Sequence, residues 1–211
     1  MTDKHSELLS ERLRPLKLRD LTLRMFEIEK LERMVASKSV MNLLFYGKAG
    51  TGKTSAARIL TREIDAEVYE LNGSHNHGDK TMVHGIADFA TTVSMDLRPK
   101  IVFIDEADGL TKDVQASLRH LIENSSDRVR FLLTANDAQK LTAAVKSRCM
   151  PLCFDPPFGA VAEIVDRLVE RYQMVLAEGG LQIDVVKIRQ IVGSRFPDMR
   201  AIANALEFEC L

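Results

Sequence analysis

The chain has 211 residues, 45% hydrophobic and 28% charged, and its 29 basic and 30 acidic side chains leave a net charge of -1. That suits one core domain with a small appendage, and it excludes a global cationic field, so any nucleic-acid contact has to come from a local patch. Cys149, Cys153 and Cys210 are too few and too irregularly spaced for a disulfide framework, and no apolar run approaches a membrane span, so a cytoplasmic protein without membrane contact is expected.

In chain order, Glu11-Arg12-Leu13-Arg14-Pro15 and Lys17-Leu18-Arg19-Asp20-Leu21 form a polar, basic stretch in which Pro15 disfavours helix at Arg14; the expectation is a solvated, extended arm. Phe26, Ile28, Leu31 and Val35 recur at helical spacing and predict a helix over 27–35. An apolar run over 42–46 reads as a buried strand, and it leads into Gly47-Lys48-Ala49-Gly50-Thr51-Gly52-Lys53-Thr54. Glycine, four residues, glycine, lysine and a hydroxyl residue, between a strand and a helix starting near Thr54, is the pattern of a phosphate loop. The glycines let the backbone turn its N–H groups inward, and the helix start adds partial positive charge. Lys53 is then expected to reach β- and γ-phosphates and Thr54 to place its hydroxyl on Mg²⁺.

A second strand is predicted over 67–71, closed by Asn72-Gly73-Ser74 and a polar loop, and then a helix carrying Met82, Val83, Ile86, Phe89, Ala90 and Val93 on one side. Residues 100–104 make a third strand that finishes on Asp105-Glu106. A helix over 112–123, a strand over 128–134 ending on Ala135-Asn136, a helix over 138–147 and a fifth strand over 150–154 follow. Asp155-Pro156-Pro157 breaks regular structure and sets a boundary: 1–155 as a nucleotide-binding core, 156–211 as a lid of three helices over 161–178, 184–193 and 198–210. Continuous apolar strands alternating with helices predict an α/β fold, a five-stranded parallel sheet with helices on both faces. Ligands bind at the carboxyl ends of such strands, where the glycine loop and Asp105-Glu106 both fall.

Neighbouring residues at a strand end point in different directions, so Asp105 is expected to face the metal held by Thr54 while Glu106 faces the γ-phosphate and polarises water. Asn136, ending the next strand, is placed to donate its amide to the γ-phosphate or to attacking water.

Asp105-Glu106-Ala107-Asp108, Thr134-Ala135-Asn136 and above all Ser147-Arg148-Cys149 resemble the ATPase subunits of sliding-clamp loaders, the replication factor C type of AAA+ protein. Glu11 to Pro15 is similar to that family's N-terminal adenine-pocket motif, Glu70-Leu71-Asn72-Gly73-Ser74 also matches, and Phe196-Pro197-Asp198-Met199-Arg200 looks like its second sensor in a form resembling tailed-phage clamp loaders. The resemblance implies an AAA+ P-loop NTPase that binds ATP and Mg²⁺. It implies that Arg148 is an arginine finger acting on a neighbouring subunit's nucleotide, a device worth about 10³ to 10⁵ in rate. By the same resemblance Arg200 senses the γ-phosphate in cis, Leu13, Arg14 and Pro15 line the base pocket, and Gln115 and Arg119 couple subunits. The implied partners are other AAA+ subunits in a ring or arc, a sliding clamp and primer-template DNA, the clamp being loaded in replication.

The sequence departs from the family in three places. Leu13 stands where an aromatic is usual; Ser74-His75-Asn76-His77-Gly78 replaces a basic residue that links DNA to the catalytic glutamate, leaving His77 as a partly charged substitute; and the collar that follows the lid in clamp loaders has no counterpart before Leu211. An AAA+ remodeller or helicase loader acting on a protein is the alternative. Asp105 to Asp108 also spells the DEAD-box signature, but those helicases need a second RecA-like domain. His75, His77 and His84 lack a cysteine or carboxylate set for metal, and Cys149 and Cys153 read as packing.

Overall fold

The computed structural model describes residues 9–75, 80–92, 94, 96 and 98–210. In chain order the elements are α1 (Leu9–Arg12), α2 (Met25–Ser37), β1 (Leu43–Tyr46), α3 (Lys53–Glu63), β2 (Glu67–Asn72), α4 (Lys80–Thr91), β3 (Lys100–Asp105), α5 (Lys112–Asn124), β4 (Val129–Ala135), α6 (Ala143–Lys146), β5 (Met150–Cys153), α7 (Val161–Glu178), α8 (Val185–Arg195) and α9 (Met199–Glu209). All strand pairs are parallel, and the sheet order is β2-β3-β4-β1-β5.

Strand periodicity explains why the sheet is buried on both sides. On β3, Ile101 and Phe103 join the cluster under α2 and α3, while Val102 and Ile104 join the one under α4 and α5. Phe131 and Leu133 of β4 face the α4–α5 side and Leu132 the other. A strand with no solvent face reads as an unbroken apolar run, which is how residues 100–104 look in the sequence. Helix starts carry their own signals: Thr111, Asp184 and Asp198 accept backbone N–H groups from Val114, Val186 and Ala201 at the starts of α5, α8 and α9. None of the helices among the described residues is long and apolar enough to cross a membrane.

Two local expectations are corrected. The N-terminal segment is not a solvated, extended arm. It forms α1 and a 3₁₀ turn (Leu18–Asp20), with Leu9 and Leu13 packed among α7, α8 and α9 and Leu18, Leu21 and Leu23 packed under the sheet. Its leucines are spaced to suit two different cores, so no single period betrays them. Arg171 on α7 donates to the carbonyls of Leu13 (2.7 Å) and Arg14 (2.5 Å), and Arg167 to those of Leu21 (3.2 Å) and Leu23 (2.6 Å), which ties this segment to α7.

Residues 138–147 are likewise not one helix. A 3₁₀ turn (Ala138–Lys140), started by the Asp137 carboxylate accepting from Gln139 N–H at 2.9 Å, gives way to extended Leu141 and Thr142 before α6. The break drops Leu141 into the core, and Gln115 holds it there: its amide donates to the carbonyls of Leu110 (3.0 Å) and Lys140 (3.2 Å) and accepts from Thr142 N–H (2.7 Å). Gln115 is thus buried and bonded inside the chain. The helix stripe expected after β2 is formed by Met82, Ile86 and Ala90, with Val83 and Phe89 packed beside them; Val93 lies outside the described residues.

Candidate functional site

The loop between β1 and α3 turns on residues that need a backbone open to glycine. Gly52, the residue capping α3, has φ 90°, and Gly50 has φ 79°; both lie where side chains are strained. Thr51 is buried, its hydroxyl donating to Lys48 O at 2.8 Å and its carbonyl accepting from the Thr22 hydroxyl at 3.1 Å. Lys48 N–H donates to the Asp155 carboxylate at 2.8 Å. The loop is therefore braced from the N-terminal segment and from the chain beyond β5.

Lys53 opens α3 and turns its ammonium back into the loop, donating to Gly47 O at 2.8 Å and Lys48 O at 2.7 Å. Burial pulls its pKa below the ordinary lysine value, and the carboxylates of Asp155, Asp108, Asp105 and Glu106 oppose that pull. The Thr54 hydroxyl lies 2.9 Å from Asp105 Oδ1 and 3.2 Å from Oδ2.

Asp105 closes β3, and Glu106 follows it in the left-handed region, φ 53° and ψ 44°. For a residue with a Cβ that conformation costs about 1–2 kcal/mol, so the surroundings must hold it. Glu106 N–H donates to Thr134 Oγ1 at 2.9 Å, Gly109 N–H donates to Glu106 O at 2.9 Å, and Gly73 N–H donates to Asp105 O at 2.7 Å.

Asn136 is exposed just past β4. The Asp108 carboxylate accepts its N–H at 3.2 Å and that of Asp137 at 3.0 Å, fixing the loop that carries it. Arg200 is exposed on the first turn of α9, and the residue before it touches the phosphate loop: Met199 N–H donates to Gly50 O at 2.9 Å. Leu13 and Arg14 are tied to α7 as above, with Pro15 half-buried; within this segment it is Thr22 that bonds to the loop.

Arg148 sits elsewhere. Its carbonyl accepts from the Asn42 side chain at 3.2 Å, at the residue before β1, whereas the phosphate loop starts at the residue after it. Five strand steps separate Asn42 from Gly47, about 16 Å, so Arg148 lies at the opposite end of the sheet from its own loop. Its guanidinium is held by Glu123, Nε donating to Oε1 at 2.9 Å and Nη2 to the same oxygen, while Nη1 donates to Ala144 O at 2.5 Å and Ser147 Oγ at 3.2 Å. The hydrogen bond from Arg148, with its charge, holds the Glu123 carboxyl below its usual range. Arg119, half-buried, lies within 3.3 Å of the neighbouring His120 ring, and His77 lies outside the described residues.

The donor set fits the groups expected of it. Thr54 and Asp105 converge as hard oxygen donors, the type that takes Mg²⁺ through one or two protein ligands with phosphate and water completing the shell. The glycine loop, the start of the 11-residue α3 and Lys53 fit a polyphosphate. Thr22, Asp108, Thr134, Asp155 and Asp198 were not singled out as site residues by sequence. Asp155 carried only a boundary signal, and Asp108, Thr134 and Asp198 lay inside quoted motifs without a task.

Comparison with known proteins gives three findings. Residues 43–154 match the AAA family, described as an ATPase family associated with various cellular activities. The chain is similar to the replication factor C small subunit of Methanosarcina acetivorans, 33% identical over 209 residues, which cover 95% of this chain and 60% of that protein, and to replication factor C subunit 5 of Arabidopsis thaliana, 34% identical over 206 residues, covering 93% and 54%. It thus spans about three fifths of the length of the curated relatives it matches. Among solved structures, a variant of RuvB from Thermotoga maritima superposes with a TM-score of 0.69 at 19% identity over 93% of this chain and 64% of that one, a likeness of fold.

Proposed function

This chain belongs to the AAA family of ATPases, with the AAA+ P-loop NTPase fold, and on that premise we propose that it is the ATPase part of a sliding-clamp-loader subunit. In this reading residues 1–155 bind the nucleotide and residues 156–211 form the lid. The observation that carries it is the division of the site: the loop, Thr54, Asp105 and Glu106 gather at the carboxyl ends of the strands, while Arg148 sits at the amino ends.

Loop amides and Lys53 hold the β- and γ-phosphates of ATP. Thr54 and Asp105 would hold Mg²⁺, which would supply neutralisation of the charge on the transferring group. The Glu106 carboxylate accepts a proton from the attacking water, which Asn136 helps to orient. Arg200 reaches the γ-phosphate from α9, so the lid senses whether a triphosphate is bound. Arg148 completes the site of an adjacent subunit in a ring or arc, which couples turnover to assembly on a clamp and primer-template DNA.

Mixing tests the division directly. Lys53→Ala should lose nucleotide binding, and Arg148→Ala should bind ATP without turning it over. A mixture should recover part of the turnover as total concentration rises, because the first variant supplies the finger that the second lacks. Full turnover by the monomer irrespective of Arg148 would refute the trans site; turnover insensitive to clamp plus primed DNA would refute clamp loading.

A further inference from the structure

The two acidic residues at the end of β3, Asp105 as its last residue and Glu106 just past it, are held from the side by a group that the proposed function leaves idle. In the sheet β4 separates β1, which feeds the phosphate loop, from β3, which carries the acids. Thr134 of β4 pairs with Phe45 on one flank and stands beside Asp105 on the other, one step past the Ile104–Leu133 pair. Its hydroxyl accepts Glu106 N–H at 2.9 Å and donates to Asp105 Oδ1 at 2.5 Å.

The direction of both bonds is forced. An amide N–H only donates, so the single hydroxyl proton is free for the carboxylate. Thr134 is 1% exposed, which leaves no water to take over either bond if the hydroxyl is lost. Asp105 Oδ1 thus receives two hydroxyl donors, from Thr134 and from Thr54 at 2.9 Å, and Oδ2, 3.2 Å from Thr54, is the less encumbered oxygen. The same hydroxyl pins the backbone of Glu106 in its left-handed turn.

We propose that Thr134 is a positioning residue of the Mg²⁺–nucleotide site: one hydroxyl selects which oxygen of Asp105 faces the cation and holds Glu106 in fixed relation to it. The inference rests on the ATPase reading of this site. Its chemistry is that of an outer-shell hydrogen bond that orients a metal-ligating carboxylate.

The test compares Thr134→Val, which keeps the shape and removes the hydroxyl, with Thr134→Ser, which keeps the hydroxyl. A fluorescent ATP analogue is titrated into the whole chain in EDTA and at increasing Mg²⁺, with thermal melting to establish the folded fraction. Thr134→Val should raise the Mg²⁺ concentration for half-maximal tightening by about 10- to 100-fold while affinity in EDTA changes little, and Thr134→Ser should restore the wild-type Mg²⁺ response. If the valine variant does not fold, Thr134→Ala takes its place with the same expected shift. An unchanged Mg²⁺ response in a folded hydroxyl-free variant overturns the proposal, as does a serine variant as impaired as valine, which would make the effect one of packing. Lys53→Ala in the same assay separates the two layers. If it still binds nucleotide normally, the ATPase reading fails; if it loses binding while Thr134→Val keeps its Mg²⁺ response, only the role of Thr134 fails.

Discussion

Replacing Gly50 by alanine should damage the chain in a way that replacing Gly52 does not, although both glycines have positive φ (79° and 90°). Each substitution forces a Cβ into the left-handed region at about 1–2 kcal/mol, and each gains the same small offset from a stiffer unfolded chain. At Gly52 the new Cβ meets nothing within 4 Å, so strain is the whole cost. At Gly50 it runs into the Asp198 carboxylate, which caps α9 by accepting Ala201 N–H at 3.0 Å, and it disturbs the Met199 N–H bond to Gly50 O. Displacing the cap costs about 1 kcal/mol and losing the backbone bond about as much again. Gly50→Ala is therefore expected to be less stable than Gly52→Ala by about 1–2 kcal/mol, read from urea unfolding without nucleotide. Asp198→Ala should cost about 1 kcal/mol alone and clearly less in the Gly50→Ala background, because the clash has already displaced the cap. Equal stabilities for the two glycine variants, with coupling below about 0.3 kcal/mol, would refute the docking of α9 on the phosphate loop.

The Arg148–Glu123 pair sets a pH signature. Glu123 is held below its usual range, so its stabilising contribution is present above the unfolded carboxylate pKa and is lost as pH falls through the lower folded value; urea midpoints of wild type and Glu123→Gln should differ at pH 7 and converge in acid. Equal midpoints across the range would mean that the pair contributes nothing in solution. Burial pushes the Cys149 thiol up to about 12, so at pH 8 its alkylation, followed by mass spectrometry, should track the unfolded fraction in urea. Rapid labelling in native buffer would contradict its packing.

Much of the candidate site was legible because its signals are local. A glycine that must adopt positive φ, a lysine and threonine opening a helix, and an apolar strand ending on Asp105-Glu106 each act through neighbours in the chain. The central strands β1, β3 and β4 were readable for the same reason, since burial on both faces demands mainly apolar runs. Patterns spread over two cores were not. Leu9 and Leu13 serve the cluster of α7, α8 and α9 and Leu18, Leu21 and Leu23 the sheet, and residues 138–147 carry helical spacing that the buried Gln115 breaks.

The sequence alone determined which residues make up the candidate site, because phosphate and Mg²⁺ chemistry requires those residue types in that order. Tertiary structure alone decided what holds them. By placing β4 between β1 and β3, the sheet order brings Thr134 to Asp105 across 29 residues; the course of the chain beyond β5 brings Asp155 to Lys48 across 107, and the start of α9 brings Asp198 to Gly50. The same order puts Arg148 at the far end of the sheet from its own glycine loop. No local period encodes such contacts, since each depends on which strands are neighbours, and that is settled only when both faces of the sheet are packed at once.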